Sequence, residues 1–446
     1  MATYPLVSHS TLEQTLAWRQ GQPITVERFL RDVAQLAALL PPGQHVLNVC
    51  RDRYRFAVGL AAAMVAGKVS LLPPTHTSEM VQQLQAFAAD VFCLHDEDAC
   101  DIALPQVRYS TLPDACSSVT IPQLDSRQLV AVVFTSGSTG APLPHPKTWG
   151  SLVRNVRAQA VRLGLAHGAS HAIIGTVPPQ HMYGFESTVL LPLQSGNALV
   201  GAQPFYPADI GSAIATVPAP RVLVSTPLHL RLLLEAGLEL PALELVLSAT
   251  ASLSTPLAQV VESGLGAPLL EIYGSTETGQ IATRRTTQSI EWQLFPEVRL
   301  TQRGEGTWAA GGHVEHAVAL NDRVESIGGD RFLLHGRLQD IVNIAGKRNS
   351  LASLDYHLNA IPGVVDGAFY MPDATSHDHV TRLAACVVAP GLTPQSLLAA
   401  LRERIDPVFL PRPLLFVEAL PRNSTGKLPR AALRQLFDTH IRRRAA

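Results

Sequence analysis

Thr135-Ser136-Gly137-Ser138-Thr139-Gly140 places four hydroxyls among small, flexible residues directly after the apolar run Leu129 to Phe134. Glycine lets backbone N–H groups turn toward an anion, and hydroxyls add donors without bulk, which is the chemistry a triphosphate needs. The spacing departs from GxxxxGK[ST], so an ordinary P-loop nucleotidase is disfavoured; the bland alternative is a turn between a strand and a helix. Further along, Tyr273-Gly274-Ser275-Thr276-Glu277 joins an aromatic, a glycine, hydroxyls and a carboxylate, a set able to stack a purine and hold a metal ion beside phosphates. Asp322 lies 15 positions before Arg337, and near the end of the chain Gly426 precedes Lys427. The chain has only four lysines, Lys68, Lys147, Lys347 and Lys427, against 31 arginines. Lysine kept in such a sequence points to places where a compact ammonium is required.

These segments need elements to hold them at the ends of strands. From about residue 26 to 273, helical patterns (Val26 to Leu40, Arg53 to Ala66, Ser151 to Leu163) alternate with β-rich runs. The runs are His45 to Cys50, Val91 to Leu94, Leu129 to Phe134, Ala172 to Val177, Arg221 to Ser225, Glu244 to Leu247 and Leu269 to Tyr273. Strands separated by helices predict an α/β fold with layered parallel sheets, whose ligands gather at the carboxyl ends of the strands. After Tyr273 the texture turns glycine-rich and polar through Gly311 to Gly329, predicting a short β-rich section. A smaller α+β unit is expected from Leu338, with helices over Pro394 to Ile405 and Arg430 to His440. The expected division is an N-terminal domain over residues 1–337 and a mobile C-terminal domain over 338–446.

Composition narrows the function classes. Of 446 residues, 46% are hydrophobic and 16% charged, which describes a globular chain with a substantial core. The net charge is -1, and the Arg442 to Arg444 run is short, so no nucleic-acid partner is expected. Five cysteines at 50, 93, 100, 116 and 386 form no CxxC pair and read as reduced packing residues. No leader or apolar run of bilayer length is evident, so no membrane span is expected and the cytoplasm is the expected compartment.

In their order these segments resemble the acyl-adenylate-forming superfamily, which includes acyl- and aryl-CoA ligases, peptide-synthetase adenylation domains and luciferases. The likeness runs from about Ile24 to Arg434, with a large domain shorter than usual at its start and between Glu277 and Asp322. The resemblance implies an AMP-forming ligase that uses ATP and Mg2+ to activate a small carboxylic acid as acyl-AMP. The acyl group then passes to the phosphopantetheine thiol of CoA or an acyl carrier protein. Thr135 to Gly140 would bind phosphates, Tyr273 and Gly274 adenine, Thr276 the phosphate region, Glu277 magnesium, Asp322 and Arg337 the ribose; Lys427 would be the catalytic lysine. The segment with His181, Tyr183 and Gly184 resembles the acyl-pocket gate, although a packed loop histidine is the alternative. Thr250 stands in Ala249-Thr250-Ala251, where the family has Gly-Gly-Ala, so the pocket is expected to be reshaped. Gln339 occupies the hinge slot usually held by Asp, and Asn343 replaces a common lysine. Gly346 to Arg348 match the hairpin lining the thiol tunnel, or form a surface turn. Leu143 stands where the family has lysine; either Lys147 reaches back to the phosphates or that contact is dispensed with. The compact length and the Gly-Lys-Arg-Asn-Ser-Leu hairpin further resemble the aryl polyene branch, which would imply an aryl acid loaded onto a carrier protein. A catalytically silent nucleotide-binding module of the same fold is the rival reading.

Overall fold

A computed structural model describes residues 2–109, 119–136, 142–166, 168–304, 306–337, 341–344, 347–372, 383–423 and 426–445. Two large sheets dominate it. In the first, Leu129–Ser136 neighbours Val69–Leu72, followed by His45–Asn48, Phe92–His95 and Gln106–Arg108, all parallel. In the second, Ala198–Val200, Ala172–Gly175, Arg221–Ser225, Leu245–Ser248 and Leu269–Ser275 run parallel. Antiparallel strands Gly279–Arg284, Trp292–Leu294, Arg331–Arg337 and Asp322–Gly328 extend that sheet on one side. The α/β class follows from the crossover helices, as the alternating patterns require.

Local chemistry explains the elements. Helix Val26–Leu39 is capped by the Thr25 hydroxyl, which accepts from the Arg28 N–H, and it buries Val26, Phe29, Leu30, Val33 and Leu36 on one stripe. Helix Trp149–Arg162 is capped by Thr148 and drives Trp149 wholly inside. Both helices, with Arg53–Val65, contribute to the main apolar core. A separate core gathers Leu354, Leu358, Phe369, Val387, Leu397 and Leu401 in the small C-terminal part, around strands Asp366–Tyr370, Ala384–Val388 and Leu414–Phe416.

Beyond the expected elements, Pro142–Thr148 forms a strand that pairs antiparallel with Leu129–Ser136. Pro142, Pro144 and Pro146 are compatible with this because alternate residues of an edge strand turn their nitrogens away from the partner. The β-rich section expected after Tyr273 begins at strand Gly279–Arg284, and Arg299–Arg303, Gly306–Gly311 and Val314–Ala319 form a sheet of their own. Among the described residues, no helix is long and apolar enough to cross a membrane.

Candidate active site

The parallel strands of the second sheet end together. Register places Gly175 beside Val224, Ser225 beside Ser248 and Ser248 beside Glu271. The segments that follow, with His181, Thr226, Thr250 and Tyr273 to Glu277, therefore gather at one carboxyl edge, where ligands of parallel sheets sit. Across from it, the hairpin formed by Leu129–Ser136 and Pro142–Thr148 brings Thr135 close. The Thr135 Oγ1 lies 2.9 Å from His145 Nε2, and that nitrogen lies 4.0 Å from Glu277 Oε1. Gly137, Ser138, Thr139 and Gly140 lie outside the described residues, and Ser136 is placed by its strand, opposite Pro142.

Glu277 is suited to a cation. Desolvation raises its carboxyl pKa, but its own backbone N–H, the Ser275 hydroxyl, His145 and Lys147 together hold it below its ordinary value. Burial lowers the His145 pKa, against the charge of Glu277. Among the described residues no group of three or more His, Cys, Asp or Glu is placed to hold a metal. One carboxylate fits magnesium nonetheless, because that ion keeps waters and takes the rest of its ligands from nucleotide phosphates.

Tyr273 donates its hydroxyl to Asp322 Oδ2 at 2.7 Å and packs against Trp292 and Phe332, with ring centroids 5.6 and 5.7 Å away. Asp322 pairs in register with Arg337, so the two expected ribose residues sit side by side on adjacent strands. Gly274 is required by the hairpin: a Cβ there would stand 2.3 Å from the Gly279 carbonyl oxygen. Thr276 is half-buried, and its carbonyl accepts from Lys147.

Lys147 is engaged at the strand-end turn. Its ammonium donates to the Thr276 carbonyl and, at 3.4 Å, to that of Glu277, and Glu186 lies buried in a cavity that Lys147 also lines. Burial pushes Lys147 down and Glu186 up, each countered by the other's charge. Asn155, Glu186 and His313 line the same cavity of about 140 Å³ behind Glu277. Sequence reasoning missed Glu186, His145 and this cavity. The available signal was a carboxylate inside the apolar run Phe185 to Leu193, and nitrogen side chains alternating with prolines in Pro142–Thr148. A larger cavity, about 340 Å³, opens among Arg162, Arg284 and Arg331 at the start of strand Leu269–Ser275, away from the motif.

On the acyl side, burial pushes the His181 imidazole down to about 4, and the charges of Lys427 and His76 add to this. Lys427 comes to this edge from the small C-terminal part. Its turn is fixed from both sides. Arg422 holds Asp366 with two bonds of 2.7 and 2.8 Å and donates to the Gly426 carbonyl, while the Asn423 side chain accepts from the Lys427 N–H at 2.9 Å. Gly426 lies against Thr226, whose hydroxyl would be 3.3 Å from a Cβ there. Tyr183 is buried in the main core, where burial raises its phenol. Gly184 answers to its own chain, since a Cβ would meet the Pro178 carbonyl oxygen at 2.1 Å. Gln339 and Gly346 lie outside the described residues; Arg348 is placed on strand Lys347–Ser350, opposite Asn343.

The model of the AMP-binding enzyme family matches residues 9–300. A 4-coumarate–CoA ligase of Rhodobacter capsulatus is 32% identical over 301 residues, 67% of this chain and 74% of that protein. The mitochondrial malonate–CoA ligase of Homo sapiens is 23% identical, over 88% of this chain and 83% of its own. The o-succinylbenzoate CoA synthetase of Bacillus subtilis, solved with ATP and magnesium ion, superposes with a TM-score of 0.80 at 17% identity, covering 97% of this chain and all of that one. The chain belongs to the AMP-binding enzyme family, the adenylate-forming ligases that use ATP and Mg2+.

Proposed function

We propose that this protein is an AMP-forming acid–thiol ligase that activates a small carboxylic acid as acyl-AMP and passes it to the phosphopantetheine thiol of CoA or an acyl carrier protein. The observation that carries this reading is the seat of the Gly426-Lys427 turn, which comes from the C-terminal part and lies against Thr226 at the carboxyl edge of the second sheet. Attack of a carboxylate on the α-phosphate builds negative charge as pyrophosphate leaves, and the ammonium would stabilise that charge from the acyl side. On the opposite side, magnesium would neutralise the phosphates, held to the protein by Glu277. Thr135, Ser136, Gly137, Ser138, Thr139 and Gly140 would cradle the triphosphate, Tyr273 and Gly274 would hold the adenine, and Asp322 with Arg337 the ribose. The Tyr273 to Asp322 bond supports the last assignment by linking the two subsites.

In this reading residues 338–446 form a domain that turns about Gln339, taking Lys427 away and bringing Gly346 and Arg348 to a thiol tunnel. An aryl acid is favoured by the likeness to a 4-coumarate–CoA ligase. His181, Tyr183, Gly184 and Thr250 would shape its pocket, Tyr183 and Gly184 from beneath because both are buried. The test is ATP–pyrophosphate exchange over a panel of aryl and aliphatic acids, followed by thioester formation with CoA and with a phosphopantetheinylated carrier protein in parallel. An acid that drives exchange and then yields thioester is expected; ATP binding without exchange on any acid would leave only a silent nucleotide-binding module.

A further inference from the structure

Strand Pro142–Thr148 carries Leu143, His145 and Lys147 at alternate positions, so period two puts all three on one face of the hairpin. The face runs from the phosphate loop toward the Thr276-Glu277 turn. At its loop end, Leu143 is 54% exposed and offers no charge or hydrogen bond. At its inner end, the Lys147 ammonium is committed to the Thr276 and Glu277 carbonyls. Between them lies His145. Its Nε2 is 2.9 Å from the Thr135 hydroxyl and 4.0 Å from the Glu277 carboxylate, with 17% of the side chain exposed.

A triphosphate seated between Thr135 and Glu277 carries more negative charge than one magnesium cancels, so its remaining oxygens call for donors. Hydroxyls and backbone N–H groups supply some of them. The strand that faces this space contributes one nitrogen side chain not already engaged with carbonyls, and it is already within reach of both flanking groups. We propose that His145 is a phosphate-contacting residue. It donates a ring N–H to the triphosphate of ATP, while Lys147 holds the Thr276-Glu277 turn in place beneath it. The ring lies 2.9 Å from the Thr135 hydroxyl and 4.0 Å from the Glu277 carboxylate, and with MgATP bound its N–H bonds a phosphate oxygen. This inference rests on the reading of Thr135 and Glu277 as the phosphate and metal side of the site.

The test is the equilibrium Kd for MgATP of the full chain, measured by calorimetry without acid, together with KM for MgATP and for the acid in pyrophosphate exchange. His145→Ala is expected to weaken MgATP about tenfold or more, as for loss of a hydrogen bond to a charged group, while KM for the acid and the melting temperature stay put. His145→Gln, which retains an N–H donor, is expected to recover part of the affinity, as is Leu143→Lys added to His145→Ala. Unchanged MgATP affinity in His145→Ala would overturn the proposal. So would failure of both compensating changes, or parallel losses in acid and nucleotide binding with a lowered melting temperature, since these mark a packing role. Glu277→Gln is run beside them. If it leaves the magnesium titration untouched, the reading beneath the proposal fails; if it shifts that titration while His145→Ala binds MgATP normally, the proposal alone fails.

Discussion

Glu277 and Thr250 show how far single residues can be read. Glu277 stands out in the sequence because a carboxylate follows an aromatic, a glycine and hydroxyls, and because that segment falls in order with Thr135 to Gly140, Asp322, Arg337 and Lys427. Its neighbours His145 and Glu186 do not, because what defines them is a strand pairing and a burial that adjacent sequence does not encode. As the sole protein carboxylate assigned to the ion, Glu277 should dominate magnesium affinity. Glu277→Gln is expected to raise the magnesium concentration for half-maximal pyrophosphate exchange by about tenfold, because an amide lacks the charge a hard cation prefers. A titration superimposable on the parent's would remove it from that role. Thr250 carries a different message: its φ is +78°, in the left-handed region that strains a β-branched side chain by about 1–2 kcal/mol. Glycine would relieve that strain but lose about 0.5–1 kcal/mol to the flexibility of the unfolded chain. Thr250→Gly is therefore expected to raise stability by about 0.5–1 kcal/mol in denaturant melts while admitting bulkier acids in the exchange panel. A destabilised variant with an unchanged acid profile would mean that the Thr250 side chain serves packing instead.

At the scale of elements, the buried parallel strands were the easiest to read, since Leu129 to Phe134 and Arg221 to Ser225 are continuous apolar, β-branched runs bounded by polar residues. Helices Pro207–Ala215, Pro227–Glu235 and Thr255–Leu265 escaped notice. Each opens with proline in its first turn, which punctuates a sequence like a loop although it is at home at a helix start. Arg53 shows what holds such elements in register. It is fully buried at the start of helix Arg53–Val65, and its guanidinium donates to the carbonyls of Gly175, Val177, Val200 and Ala202. Burial lowers it to about 10, so it remains charged at neutral pH. One side chain thus ties the ends of two strands and the segment leading to His181. Arg53→Ala leaves four carbonyls without this donor and a cavity beside them, so a loss of at least about 3 kcal/mol is expected. Chemical denaturation of the variant checks this, and a loss below about 1 kcal/mol would show that water replaces the guanidinium at little cost.

The whole molecule was legible as two unequal bodies because the alternating strand and helix rhythm ends near Tyr273 and a different texture follows. What that texture could not reveal is that seven more β-segments intervene before residue 338 among the described residues, since short polar strands with glycine lack a hydrophobic period. Among the described residues the two bodies meet at polar groups: Thr255 Oγ1 lies 3.2 Å from Tyr356 Oη, the Ser350 hydroxyl donates to the His335 carbonyl, and Gly426 touches Thr226. Polar contacts of this kind suit bodies that part and reseat. If Lys427 serves adenylation and the Gly346 to Arg348 hairpin serves thiolation, the two poses exclude each other and damage to each should strike a different half-reaction. Lys427→Ala is expected to slow acyl-AMP formation by a factor on the order of 10²–10³ while leaving thioester formation from supplied acyl-AMP near normal. Gln339→Pro fixes φ and removes a donor at the proposed hinge, so it should leave acyl-AMP formation near normal and slow the thiol step. Single-turnover kinetics of each half-reaction in both variants decides the matter. Equal losses in both steps would mean that one fixed arrangement performs all the chemistry, with the Gly426-Lys427 turn seated against Thr226 throughout the cycle rather than in one of its two poses.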